Sequence, residues 1–261
     1  MGQEQRRIVV VGAGSGIGAG TAAHFHSAGD HVLAVDLCDN DTPATEHRRC
    51  DLRDPAQIAE LLAAIGDGWD LLAYVAGVPG TAPAADVLKV NYLGMRLTTE
   101  GMLPRLRTGG AVVTVASVAA LGWQQRIADL AGLLAATDPA AVETWQAAQD
   151  PAYPVYSTSK QAAVLYSKRL AIAAWQKYGI RVNTVSPGPT ETPILGDFET
   201  SMGKELLDGV KATVGRHATV ADIVPVIDFL GSPAARWVNG QDIHVDGGFV
   251  APMSVGGPIP L

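Results

Sequence analysis

Ten residues near the start of the chain, VVVGAGSGIG at 9–18, restrict the possible folds more than any other stretch. An apolar run ends at Val11, and Gly12, Gly16 and Gly18 then let the backbone turn tightly into an apolar, helix-like segment. A strand that feeds a helix through such a turn is the first half of a βαβ unit. It also brings the N–H groups of the helix's first turn against any pyrophosphate bound there. Ser15 and Ile17 belong to the same turn and complete the candidate cofactor loop.

The rest of the chain repeats the pattern. Apolar runs at 6–12, 31–36, 70–77, 111–117, 180–188 and 241–248 read as strands, several nearly continuous in apolar character, as strands covered on both faces are. Helix-like segments at about 16–28, 54–66, 91–107, 154–178 and 219–231 lie between them. Alternation of this kind predicts an α/β architecture: a Rossmann-like, doubly wound parallel sheet in a single domain spanning 1–261. The stretch from about 121 to 151 breaks the rhythm. It carries Asp138 followed by Pro139, an N-cap and first helical residue, and reads as a helical insertion.

Composition narrows the function. With 48% hydrophobic residues the chain can bury a full core, and a net charge of −7 disfavours electrostatic capture of nucleic acid or an acidic membrane surface. Cys38 and Cys50 form no disulfide framework, and neither a leader nor a membrane-length apolar run is present, so a cytoplasmic protein is expected. His24 and His26 have poor helical spacing for a metal, and no metal site is expected.

Two features carry chemistry. Asp36 ends the second strand, where a carboxylate accepts the adenosine ribose hydroxyls and repels the 2′-phosphate of NADP; Ser15 and Leu37 offer no compensating cation, so NAD is the expected cofactor. Tyr156 precedes Lys160 by four residues, which puts both on one helical face. An ammonium and an oxidised nicotinamide both favour phenolate, so the pair can serve as general base in alcohol oxidation and general acid in the reverse reduction. Ser117 at the end of its strand can hydrogen-bond the reacting oxygen. STSK at 157–160 matches the SxxK of penicillin-recognising enzymes without their companion motifs.

The ordered set of GxxxGxG, Asp36, Asp51-Leu52, VAG at 75–77, Asn91, Ser117, Tyr156-x-x-x-Lys160 and SPGPTET at 186–192 resembles the short-chain dehydrogenase/reductase family from about Ile8 to Gly248. The resemblance implies that Asn91 holds a water in a proton relay to Lys160, that Lys160 also binds the nicotinamide ribose, and that Asp51, Leu52, Ala76, Gly77, Pro187, Thr190 and Thr192 contact the cofactor, with Thr192 on its carboxamide. Val11 stands where the family has threonine, and Tyr74-Val75-Ala76-Gly77 replaces its Asn-Asn-Ala-Gly. Ser117 and Tyr156 are 39 positions apart, wider than the family's usual spacing. That insertion is similar to the one in the bacterial 3α-hydroxysteroid dehydrogenase/carbonyl reductase and coniferyl alcohol dehydrogenase branch, where it displaces the usual subunit interface.

The resemblance implies that the segment after Pro187 forms a flap over the substrate, with Ile194, Leu195, Phe198 and Met202 as its apolar face and no arginine to clamp a carboxylate. The expected partner is a small hydrophobic alcohol or ketone of the aryl-allylic or hydroxysteroid type. A homodimer or homotetramer is also expected, its contacts involving Trp123, Leu130, Leu133, Leu134, Val142 and Trp145 of the insertion. Two alternatives stand beside this reading: an NADP-dependent biosynthetic ketoreductase and a non-catalytic NAD-sensing regulator.

Overall fold

The computed structural model describes residues 5–255, without the side chains of Met202, Leu206 and Ser254. Seven parallel strands form one sheet: β1 (Arg7–Val11), β2 (His31–Asp36), β3 (Glu46–Arg49), β4 (Trp69–Tyr74), β5 (Leu106–Val115), β6 (Arg181–Pro187) and β7 (Asp242–Val245), in the spatial order β3-β2-β1-β4-β5-β6-β7. The chain reverses its direction of winding between β1 and β4. In such a sheet the crevice at that switch, beyond the carboxyl ends of the strands, is where ligands bind.

Helices α1 (Gly16–Ser27) and α10 (Val220–Gly231) cover one face, burying Ala22, Phe25, Ile223 and Ile227 against Ile8, Val10, Val32 and Ala34. On the other face lie α2 (Pro55–Ile65), α4 (Met95–Met102) and α7 (Val155–Tyr178), whose Ile58, Met95 and Leu165 pack on Val9, Val11, Leu33 and Leu72. β1 and β2 are nearly continuous in apolar character because both their faces are covered.

Three differences from the sequence expectation have physical causes. β3 is short and polar, with Glu46, His47, Arg48 and Arg49 on the edge of the sheet, so it carries no hydrophobic signal. β5 begins at Leu106 instead of near 111, because the polar residues after Leu106 form an irregularity opposite Trp69 and Leu71 before regular pairing resumes at Ala111. The helix expected from 91 is divided: α3 (Ala84–Leu88) runs into a π-helical turn, Lys89–Gly94, and only then into α4. Wide turns of this type are frequent at functional sites.

Between β5 and α7 the 121–151 segment forms a short 3₁₀ turn at Trp123–Arg126 and two helices, α5 (Ala131–Ala135) and α6 (Pro139–Ala147). Asp138 caps α6 by accepting the Ala141 N–H at 2.9 Å. Leu130, Leu133 and Val142 are fully buried within this subunit, and Trp123, Leu134 and Trp145 are packed against the same core. Glu143 pairs with Lys89 of the π turn. The Arg96 guanidinium donates to the carbonyls of Leu134 and Ala136, each at 2.8 Å. Leu130, Leu133 and Val142 thus belong to the chain's own core, whereas Trp123, Leu134 and Trp145 stay partly exposed. Two further helices, α8 (Leu195–Met202) and α9 (Lys204–Val214), follow β6.

Candidate active site

The glycine turn after β1 has little freedom to be anything else. Gly12 sits at φ +86°, and a Cβ there would lie 2.5 Å from the Ala76 backbone after β4; at Gly18 it would lie 1.8 Å from the Gly12 carbonyl oxygen. These two glycines therefore bring the start of α1 down onto the strand ends. Gly16, at φ +52°, lies close to Thr192 of the loop after β6, whose side chain would be 3.2 Å from a Cβ there. Ser15 is the N-cap of α1 but makes no side-chain cap hydrogen bond. The N–H groups of the first turn consequently keep their capacity for an anion, with the positive end of a 12-residue helix behind them.

At the end of β2 the Asp36 carboxylate is held from behind. It accepts N–H bonds from Gly14 at 2.8 Å, Leu37 at 2.8 Å and Cys38 at 3.4 Å. Two oxygens offer about four lone pairs, so capacity remains for hydroxyl donors. Asp51 and Leu52 follow the end of β3. Hydrogen bonding from Arg53, at 2.7 Å, holds the Asp51 carboxyl below the usual carboxylate range. Cys50 is buried and Cys38 exposed. Burial, with Asp51 and Asp54 nearby, pushes the Cys50 thiol up to about 11, which leaves it inert at neutral pH.

At the ends of β4 and β5 the remaining groups converge. Val75 and Ala76 donate to the Val11 carbonyl at 2.8 and 2.9 Å. The Tyr74 hydroxyl donates to the Val90 carbonyl at 2.8 Å, which ties β4 to the π turn. Asn91, buried in that turn, accepts the Val78 N–H at 2.8 Å and donates to Val78 O at 3.0 Å and Ser159 Oγ at 3.1 Å. Ser159 in turn donates to the Tyr156 carbonyl at 2.7 Å. Asn91 therefore stands one layer behind the cleft wall.

Tyr156 and Lys160 share a face of α7. Lys160 is buried, donates to the Val115 carbonyl at 3.0 Å, and has its Nζ 5.7 Å from the Tyr156 ring centroid. Desolvation pulls its ammonium down to about 8. The same desolvation pushes Tyr156 up to about 12, against a hydrogen bond with Ser117 that acts in the opposite direction. Ser117 also accepts the Ala119 N–H at 3.1 Å, so it caps the short turn after β5 while facing the tyrosine.

These groups line one cleft of about 700 Å³ at the strand ends. Gly12, Ser15, Gly16, Ile17, Gly18, Asp36, Asp51, Leu52, Ala76, Gly77, Ser117, Tyr156, Lys160, Pro187, Thr190 and Thr192 are all on its wall. Beyond Tyr156 the wall is apolar: Leu121, Ile194 and Phe198 were within reach of sequence reasoning as flap or loop residues, whereas Leu207, Val210, Phe249 and Met253 carried no motif. Arg53 and Asp86 at the adenosine end were also missed; they pair with each other at 3.3 Å. The Met202 side chain lies outside the described residues. His24 is a surface partner of Asp228 at 3.1 Å, remote from the cleft.

Comparison with known proteins agrees with this geometry. Residues 6–128 match the family described as short chain dehydrogenase, and residues 144–250 match the one described as Enoyl-(Acyl carrier protein) reductase. The interval between the matches, 129–143, lies within the helical 121–151 segment. A coniferyl-alcohol dehydrogenase of Pseudomonas sp. strain HR199 is 34% identical over 94% of this chain and 97% of its own. The 3-alpha-hydroxysteroid dehydrogenase/carbonyl reductase of Comamonas testosteroni is likewise 34% identical over 94% and 97%. The crystal structure of a 3-alpha-hydroxysteroid dehydrogenase from Pseudomonas sp. B-0831, complexed with NADH, superposes with a TM-score of 0.83 at 30% identity, covering 95% of this chain and 98% of that one.

Proposed function

The chain belongs to the short-chain dehydrogenase family, and from that premise we propose that it oxidises a small hydrophobic alcohol with NAD and reduces the corresponding carbonyl in reverse. One observation carries the reading: Ser117, Tyr156 and Lys160 line the same cleft as the glycine turn and Asp36, and the wall beyond Tyr156 is apolar. The coniferyl-alcohol and hydroxysteroid activities named for the two relatives fit such a wall.

The residues present suit a dinucleotide. The uncapped first turn of α1, through Ser15, Gly16 and Ile17, would hold the pyrophosphate, and Asp36 the adenosine ribose. Leu52, with the backbone at Asp51, would flank the adenine, Lys160 the second ribose, and Pro187, Thr190 and Thr192 the nicotinamide, with Thr192 on its carboxamide. When bound, the nicotinamide supplies the hydride acceptor for the alcohol carbon.

The chain's own residues manage the proton. Ser117 orients the substrate hydroxyl, and Tyr156 as phenolate takes its proton while the C–H electron pair departs and the carbonyl forms. A phenol held near 12 is a poor base in the free protein, so the positive charge of Lys160 and of the oxidised cofactor must bring it down. Asn91 acts from behind, through Ser159 and the Tyr156 backbone, and would hold the water that reconnects Lys160 with solvent. The protein is read as cytoplasmic and as a homodimer or homotetramer, which light scattering tests directly.

The deciding experiment screens coniferyl alcohol, simpler aryl-allylic alcohols and 3α-hydroxysteroids with NAD and with NADP, following absorbance of the reduced cofactor. NAD-dependent turnover of at least one class is expected. Turnover with NADP alone would turn the reading into that of a ketoreductase, and cofactor binding without turnover of any alcohol or ketone into that of a sensor.

A further inference from the structure

The first turns of α7 lack a support that helices of this length commonly have. Pro154 at the N-cap position makes no side-chain cap hydrogen bond. The front of these turns carries Tyr156 and Lys160. Thr158 and Gln161 are three apart and, at 100° per residue, occupy the opposite side.

We propose that Arg126, which reaches α7 from the 121–151 segment, is a positioning residue that fixes the angle at which Tyr156 and Lys160 enter the cleft; the inference rests on the oxidoreductase reading above. Arg126 is 7% exposed. Its Nη1 donates to Thr158 Oγ1 at 3.4 Å and to Gln161 Oε1 at 3.3 Å. Its guanidinium lies 3.8 Å from the ring centroid of Tyr153, in the turn that leads into α7. Gln161 continues the connection by donating to the Leu121 carbonyl at 3.2 Å, on the strand-end loop that begins with Ser117.

A cation beside a helix N-terminus opposes the helix dipole, so this arrangement is not explained by local helix stability. Asp129, 3.1 Å from Arg126 Nε, offsets the charge without removing the hydrogen bonds. A planar fork meeting two acceptors and one ring defines an orientation, which a single apolar contact does not. Proton transfer depends on such orientation, since displacement of a reacting group by about 1 Å costs on the order of 100-fold in rate. Arg126, in the 121–151 segment and near the end of the first family match, would thus contribute directly to the geometry of the Tyr156–Lys160 pair.

The test replaces Arg126 with Met, similar in length but without donors, and assays the panel alcohol with the highest turnover. NADH affinity is measured in parallel by fluorescence. The expected result is NADH affinity within about twofold of wild type, KM little changed and kcat lower by roughly 10- to 100-fold, with Arg126→Lys recovering part of the loss. A kcat within about twofold of wild type overturns the proposal, as does a loss of kcat matched by an equal loss of NADH affinity. If Arg126→Met does not fold, Thr158→Val combined with Gln161→Met removes the acceptors instead: lower kcat at unchanged NADH affinity supports the proposal, and unchanged kcat overturns it. Tyr156→Phe is run as the control. Full turnover in that variant overturns the proton-transfer reading itself, whereas its inactivity beside a fully active Arg126→Met overturns only the role of Arg126.

Discussion

The Phe198 ring of α8 lies against the Tyr156 ring, with centroids 4.9 Å apart and planes inclined by 58°. The proposed base is therefore roofed by an aromatic side chain from the segment after β6. The adjoining Asp197 accepts a hydrogen bond at 3.2 Å from Thr81, in the loop after β4. Phe198→Ala is expected to raise KM for an aryl-allylic alcohol about tenfold, roughly the value of one aromatic contact, and to change kcat less. Steady-state kinetics on coniferyl alcohol beside a small aliphatic alcohol check this: an equal effect on both would mean that the ring only seals the helix to the core.

Tyr156→Phe removes one oxygen and little packing. Turnover is expected to fall by at least about a thousandfold, while NADH binding by fluorescence stays within about threefold. In the unaltered protein, oxidation should accelerate as pH rises from 6 toward 9, because the phenol starts near 12 and loses its proton more readily as pH climbs. A flat profile with a rate-limiting chemical step would place the base elsewhere.

Lys160 connects catalysis with stability. Its ammonium is held down to about 8 from 10.5, so the folded protein releases that proton earlier than the unfolded chain does. Between those values the unfolded state binds more protons, and stability rises with pH; below about 8 the full cost of the buried charge is present. Lys160→Met should abolish turnover and stabilise the cofactor-free protein at pH 7. The gain is at most about 3 kcal/mol, reduced by the Val115 carbonyl left without its donor. Thermal melts at pH 7 and pH 10 test the sign: the advantage of the variant must shrink at the higher pH.

Asp36→Ala should weaken NADH binding about 10- to 100-fold and reduce discrimination against NADPH, since the ribose acceptor and the repelling charge leave together. The loop amides of Gly14 and Leu37 lose their shared acceptor as well. Fluorescence titrations with both reduced cofactors report the result. An unchanged ratio of affinities would show that another group reads the ribose.

Much of this arrangement was legible because its causes are local. Gly12 and Gly18 are required by backbone contacts within the turn and with the next strand end, and Tyr156 and Lys160 are related by helical spacing alone. Asn91 was legible as a member of the set but not in its surroundings, since the π turn that carries it follows from no residue type in Lys89–Gly94. Leu207, Val210, Phe249 and Met253 could not be found, because an apolar side chain facing a cleft has the same sequence signature as one facing the core. In the 121–151 segment Leu130, Leu133 and Val142 face a core that their spacing does not identify.

The polar strand β3 has a consequence beyond its invisibility to hydrophobic patterns. A sheet exposes unpaired backbone groups along its outermost strand, and any extended chain of matching register can continue the ladder there. Here that border is four residues long and made of Glu46, His47, Arg48 and Arg49, with Glu46 held by His31 and Arg48. An incoming strand would have to desolvate this row of charges for few hydrogen bonds in return. The charged border therefore disfavours strand addition at this one edge of the sheet.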